Sequence, residues 1–200
     1  MKLAAIIIET RPSEGLKKAV ASVNKFIPEW DKYAFGSEST RPFFEGFNYK
    51  NLKVPLSTLR DYNVLMTSLL FWDRWKDYDK VLIFQSDTEI LDIGIEYFLE
   101  WDYVGAPWKF QDHGGNGGLS IRNPKIMIEI LNQATWSPAC FEDVFFCNEM
   151  FNKKIGKLAP RKVCKMFSAE TIFETGTLGY HAIRKHLTKE QVHKILHQYK

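Results

Sequence analysis

Val81-Leu82-Ile83-Phe84-Gln85-Ser86-Asp87-Thr88-Glu89 is the stretch from which the rest of the chain is read. Four consecutive apolar residues without alternation suit a strand buried on both faces, as in a parallel sheet covered by helices. The run then breaks into polar residues, and in open α/β sheets ligands bind beyond the carboxyl ends of the strands. A second run of this kind, Leu3 to Ile8, ends in Glu9-Thr10-Arg11-Pro12. Ser13 can cap the next helix, whose apolar residues Leu16, Ala19, Val20, Val23 and Phe26-Ile27 recur at helical spacing until Pro28 ends it. Strand, short loop and amphipathic helix open an α/β protein.

Further out the signals alternate in the same way. Lys32 to Phe35 reads as a second strand, followed by the polar turn Gly36-Ser37-Glu38-Ser39. Residues 40–60, with Pro42, Gly46 and Pro55, read as irregular. Tyr62 to Lys76 reads as one helix with Leu65, Leu69 and Trp72 on one face. Tyr103 to Trp108 is a short strand running into a turn, and Leu119 to Arg122 another strand. Pro124 opens a helix carrying Ile126, Met127, Ile130 and Leu131, and Glu142 to Phe151 is a further helix. Thr188-Lys189-Glu190-Gln191 is a capping box before Val192, Ile195, Leu196 and Tyr199. Without a repeat or a linker, residues 1–200 read as a single α/β domain, mostly parallel in its central sheet and flanked by helices. That domain could itself belong to a larger polypeptide.

Composition narrows the partners. With 200 residues, 45% of them hydrophobic, the chain can bury one sizeable core but not two ordinary ones. A net charge of +3 lacks the concentrated basic stripe of a nucleic-acid binder, yet suits an anionic substrate such as a nucleotide. Cys140, Cys147 and Cys164 are odd in number and form no CxxC pair, which argues for reduced thiols in a cytosolic protein. The opening Met1 to Ile8 resembles a signal peptide, but Glu9 and Arg11 end the apolar run without a small-residue cleavage site. No run approaches the ~18 apolar residues of a transmembrane segment.

The strand-end rule ranks the polar residues. Asp87 and Glu89, leaving a hydrophobic strand, can bring two carboxylates to one hard cation such as Mg2+ or Mn2+. That cation would stabilise charge developing on a diphosphate. The alternative is a pair of solvated turn acids. His113-Gly114-Gly115-Asn116-Gly117-Gly118 lets backbone approach a ligand with its N–H groups exposed, or forms a flexible hairpin. It lacks the Lys-Ser/Thr of a P-loop and does not match GxGxxG. Trp108 could stack on a sugar or base, or pack in the core. Glu142-Asp143 could supply a general base or merely complement a helix dipole. His181 stands alone in sequence, whereas His193 and His197 have metal-like spacing on what reads as a solvated helix end.

Several of these pieces recur in a fixed order. Tyr62-Asn63, Val81 to Asp87, Asp102 to Trp108, Gly114 to Asn123, Glu142 to Cys147, Phe167 to Glu170 and Gly179-Tyr180-His181 together resemble a family of GT-A-like glycosyltransferases. That family occurs in bacteria and large viruses and was long described only as a domain of unknown function. The resemblance implies a GT-A-like fold and a nucleotide-diphosphate sugar donor, UDP-sugar favoured, over the first half of the sheet. Thr10 and Arg11 would lie near the nucleotide, with Ser37 and Glu38, and Asn63, Gln85, Ser86 and Trp108 would complete the donor site. Asp87 would hold Mn2+ or Mg2+ on the diphosphate, and His181 would be a further ligand. Glu89 departs from the usual Asp-x-Asp motif by one methylene and could act through water or contact the sugar. Gly115, Asn116, Gly117 and Gly118 would border donor sugar and acceptor, the latter a glycan or glycoconjugate hydroxyl. Asp143, beside Glu142, would be the base of an inverting reaction, in the cytoplasm of the cell or of a viral host. Two other readings stay open. A sugar-phosphate nucleotidyltransferase would need a glycine-rich basic loop where Glu9-Thr10-Arg11-Pro12 stands, and a carbohydrate-binding module would need no catalysis.

Overall fold

A computed structural model describes residues 1–52 and 58–199, so Pro55 lies outside the described residues. The chain runs through β1 (Leu3–Glu9), α1 (Glu14–Phe26), β2 (Asp31–Gly36), β3 (Asn48–Asn51), α2 (Leu59–Met66), α3 (Leu69–Asp73) and β4 (Lys80–Phe84). Then follow β5 (Thr88–Ile90), β6 (Tyr103–Ala106), β7 (Asn116–Arg122), α4 (Pro124–Gln133) and α5 (Glu142–Lys153). The last part holds α6 (Arg161–Phe167), β8 (Ser168–Ala169), β9 (Gly179–His181), α7 (Ile183–His186) and α8 (Lys189–Leu196).

The main sheet has the order β3-β2-β1-β4-β7-β6. β1 pairs in parallel with β2 and β4, and β2 with β3, while β7 is antiparallel to both of its neighbours. The architecture is therefore α/β with a mixed, mostly parallel central sheet flanked by helices. The unalternating apolar runs have their expected cause. Ala5, Ile7, Leu82 and Phe84 enter one core with Leu16, Ala19, Val20 and Val23 of α1. Ala4, Ile6, Val81 and Ile83 enter a second core with Trp72, Trp75, Met127 and Phe146. Both faces of β1 and β4 are covered, and the strand ends are left as the exits for polar residues.

Three expectations change. Residues 40–60 are not irregular throughout, because Arg41–Phe43 form a 3-10 turn and Asn48–Asn51 form edge strand β3. The helix expected over 62–76 is two helices broken at Thr67-Ser68. There Thr67 Oγ1 donates back to the Asn63 carbonyl (2.8 Å), and the Trp72 indole N–H takes the Met66 carbonyl (2.6 Å). The Asn63 carbonyl also accepts the Thr67 amide (3.0 Å), and the indole bond satisfies the Met66 carbonyl that a continuous helix would have used. The third change is a small sheet of order β5-β9-β8. Its strands are two or three residues long, too short to carry a period in sequence. Among the described residues no helix is long and apolar enough to cross a membrane.

Candidate functional site

β1 and β4 are neighbours, so their exits, Glu9-Thr10-Arg11 and Gln85-Ser86-Asp87, lie side by side. The buried Glu9 carboxylate ties them together. Its Oε1 accepts the Thr10 and Arg11 amides (3.0 and 2.9 Å) and Arg11 Nε (3.1 Å), and its Oε2 accepts the Ser86 hydroxyl (2.7 Å). Beyond the exits opens a hollow of about 340 Å³ lined by Thr10, Arg11, Thr58, Gln85, Ser86, Asp87 and Lys185. Arg11 and Lys185 give it two cationic groups.

The small sheet joins two residues distant in sequence. Its register sets Thr88 opposite His181, and the Ala182 amide donates to the Asp87 carbonyl (2.9 Å). Asp87 and His181 consequently meet, with Oδ1 of Asp87 3.3 Å from Nε2 of His181. The same Nε2 lies 3.1 Å from Gln85 Oε1, and Nδ1 lies 3.1 Å from Glu170 Oε1. All three groups facing the imidazole accept hydrogen bonds, so the metal-free ring holds two protons. Burial pulls its pKa down, but hydrogen bonds to Asp87 and Glu170 and their charges outweigh that and raise it to about 9. Asp87 responds in the opposite sense. Burial favours its neutral form, yet His181 and Lys185 hold the carboxyl well below its ordinary range. Lys185 Nζ is 2.7 Å from Asp87 Oδ2. The ring rests on Gly118, where an added Cβ would lie 2.5 Å from its Cδ2 and Cε1.

Glu89 is not brought to this pair. It pairs in register with Tyr180, adjacent residues of a strand point to opposite faces, and the Tyr180 hydroxyl donates to its carboxylate. Glu89 lines a further hollow, which shares Ser86, Asp87 and Lys185 with the first.

A second hollow, about 280 Å³, meets the first at Leu59, Tyr62 and Gln85. Asn63, Trp108, Asn116, Gly117, Gly118, Glu142, Asp143 and His181 line it. Glu142 and Asp143 differ in kind. Glu142 takes a two-pronged bond from the fully buried Arg122 (2.6 and 2.9 Å), which also lies 4.9 Å from the Tyr103 ring centroid. That pairing occupies both oxygens of Glu142. Among the described residues Asp143 is bonded by no cationic side chain and accepts amides, from Gly117 (2.9 Å) and Val144 (2.8 Å). Burial, and then the charge of Glu142, raise its pKa to about 6. A carboxylate poised there can take a proton near neutral pH.

The second half of the glycine run lies in a strand rather than a loop, and its amides are engaged. Asn116 to Gly118 open β7, the Gly117 amide belongs to Asp143, and the Gly118 amide donates to Asn116 Oδ1 (2.7 Å). Close approach demands the glycines. A Cβ on Gly117 would come within 2.6 Å of Glu142 Oε1, and Gly115 packs on the Gly105 backbone. Trp108 is only 4% exposed, and the Phe110 ring stacks over it at 5.3 Å. The free rings at this hollow are Phe110 and Phe141, 70% and 57% exposed. Deeper in the hollow wall, Glu170 Oε2 and Thr171 Oγ1 are enclosed without a hydrogen-bond partner.

These residues offer a divalent ion a partial set of ligands. Among the described residues no group of three or more His, Cys, Asp or Glu is arranged to hold a metal. Two donors do fit. Asp87 Oδ1 and His181 Nε2 face each other, and Glu170 behind Nδ1 gives the ring the outer carboxylate found behind metal-bound imidazoles. Mg2+ and Mn2+ commonly take one or two protein ligands and complete their shell with water and substrate phosphates. The pair therefore fits an ion bound jointly with a phosphate ligand.

Residues 46–181 match the family model described as a protein of unknown function, DUF5672. The chain belongs to this family. No curated protein matches the sequence. The matched span contains the Asp87–His181 pair, Glu170, Asn63, Asp143 and the β7 glycines. Thr10, Arg11 and Lys185 lie outside it, although the fold brings all three to the first hollow.

The remaining expected residues separate on the same geometry. Ser37 turns inward and donates to the Thr10 carbonyl (2.7 Å), buttressing the first hollow without lining it. Glu38 is exposed and accepts from Asn51 (2.7 Å). Sequence reasoning missed Lys185, Glu170 as a partner of His181, and the Arg122–Glu142 pair. Lys185 carried one usable signal. Four residues after His181, a lysine on a helix entered directly from β9 must return to the strand end.

Proposed function

We propose that the chain is a metal-dependent glycosyltransferase with a GT-A-like fold, moving a sugar from a nucleotide-diphosphate sugar to an acceptor hydroxyl. One observation carries the reading. Two hollows adjoin at Gln85 and the Asp87–His181 pair bridges them, Asp87 lining the first and His181 the second, which an anionic base candidate, Asp143, also lines. A donor needs this division, with a cationic place for its diphosphate and a neighbouring place where its sugar meets a nucleophile. The first hollow offers Arg11 and Lys185 for the phosphates. The second offers exposed Phe110 and Phe141 rings for an apolar sugar face, and Asp143 to take the acceptor proton in an inverting reaction. Asp87 and His181 would hold Mn2+ or Mg2+, which supplies charge stabilisation to the leaving diphosphate. Gln85 orients the imidazole, Glu170 fixes its Nδ1 proton, and Arg122 keeps Glu142 from competing as base. UDP-sugars are the favoured donors, and a glycan or glycoconjugate the favoured acceptor.

A screen of UDP- and GDP-sugars for slow hydrolysis with Mn2+ tests this without knowledge of the acceptor. Turnover should appear with one donor class and vanish in Asp87→Ala while the protein stays folded. Full activity in that variant refutes the assignment. Pyrophosphate released from NTP and a sugar phosphate would instead identify a nucleotidyltransferase. Sugar binding indifferent to metal would identify a binding module.

A further inference from the structure

Both oxygens of Asp87 are already engaged by positive donors. Oδ1 faces His181, and Oδ2 is bonded to the Lys185 ammonium at 2.7 Å. The two contacts differ in how firmly they are built. His181 is buried and fixed between Glu170, Gln85 and Gly118. The Lys185 side chain is 68% exposed, on a four-carbon stem whose charged head turns freely. Only its base is tethered. Ala182, in the left-handed region (φ 49°), turns the chain from β9 into α7. Its amide is bonded to the Asp87 carbonyl and its carbonyl to the Lys185 amide (2.9 Å each). The lysine is thus anchored through backbone to the carboxylate it covers, while its head can also reach the first hollow, which it lines.

We propose that Lys185 is an internal counter-cation: it occupies Asp87 in the metal-free protein, and it moves to the phosphates of the ligand when a divalent ion takes its place. The proposal rests on the metal-and-diphosphate reading above and adds how the two bind together. An ion arriving at Asp87 displaces an ammonium and repels it. Without phosphate nearby the displaced ammonium loses an ion pair and gains only water, so metal alone binds weakly. With a diphosphate in the first hollow the same ammonium gains a new anionic partner. Metal and diphosphate therefore strengthen each other, and the strengthening is equal in both directions.

Calorimetry with Mn2+ and UDP as probes tests this without turnover. Wild type should bind Mn2+ weakly alone and about tenfold more tightly with saturating UDP, within the usual range of coupled sites. Lys185→Met should bind Mn2+ alone more tightly than wild type does, and UDP, still a ligand of the ion through its phosphates, should strengthen that binding by a smaller factor than in wild type. Lys185→Arg, which keeps the charge, should retain the enhancement. Unchanged melting of the exposed-site variants confirms intact folding. Equal affinity of wild type and Lys185→Met for Mn2+ alone, or an enhancement by UDP as large in Lys185→Met as in wild type, overturns the proposal and leaves the metal reading standing. No Mn2+ binding by either protein overturns the metal reading and this proposal with it.

Discussion

His181 should make the stability of the metal-free protein depend on pH in a window where few other groups titrate. Its ordinary pKa of 6.5 is raised to about 9 in the fold, because Asp87 and Glu170 favour the imidazolium more than burial disfavours it. At about 1.36 kcal/mol per pH unit, that difference is worth about 3 kcal/mol. The sign follows from proton counts. Between pH 6.5 and 9 the folded chain keeps a proton that the unfolded chain has released, so stability falls as pH rises. The contribution is complete below pH 6.5 and gone above about 9. Asp143 acts in a separate window. Its raised pKa of about 6 costs stability as pH rises from its ordinary 3.8 to 6, below the histidine range. The measurement is urea unfolding of wild type and His181→Asn from pH 6 to 10 with metal chelated. The variant loses stability at every pH because Glu170 keeps its charge, so the quantity to read is the change in the difference. It should shrink by about 3 kcal/mol between pH 6 and 10. A difference that stays flat would show that the imidazole is not held charged between two carboxylates, and would remove the geometric basis for the metal pair.

Gly118→Ala places a methyl within 2.5 Å of two His181 ring carbons. It should cost about 1–3 kcal/mol as overpacking and abolish Mn2+ binding by calorimetry, so unaltered binding would contradict the ring's placement. Glu142→Gln removes the anion from a fully buried Arg122 and should cost about 3–5 kcal/mol of stability by urea midpoint. A stable but inactive Glu142→Gln would instead make that acid catalytic. Asp143→Asn should lower turnover about 10²–10⁴-fold with little loss of stability, since the carboxylate it replaces is penalised by burial at neutral pH. In wild type, turnover should decline as pH falls through about 6, and a profile flat to pH 5 would exclude Asp143 as base.

The sequence by itself determined the two central strands and their exits. Leu3 to Ile8 and Val81 to Phe84 are apolar without alternation because each strand faces a core on both sides, and that requirement is written in consecutive residues. The cap at Ser13 and the capping box at Thr188 were equally legible, since a side chain there bonds an amide three residues on. Asp87 and Asp143 were found at a strand end and a helix start for the same local reasons. Only the tertiary structure decided what these residues do. Glu89 stands two residues from Asp87, yet Asp87 lies in the turn before β5, while Glu89 lies within the strand opposite Tyr180, on the face away from His181. Glu142 stands beside Asp143, yet Arg122 twenty residues earlier occupies both its oxygens, while those of Asp143 accept backbone amides. The glycines read as a ligand loop are glycines because β7 passes beneath His181 and against Glu142, contacts that form only after the chain has folded. His181 and Lys185 reach Asp87 through two pairings across more than ninety residues. Short strands of two or three residues leave no period in sequence, and a register between distant segments is fixed by hydrogen bonds that no local pattern encodes.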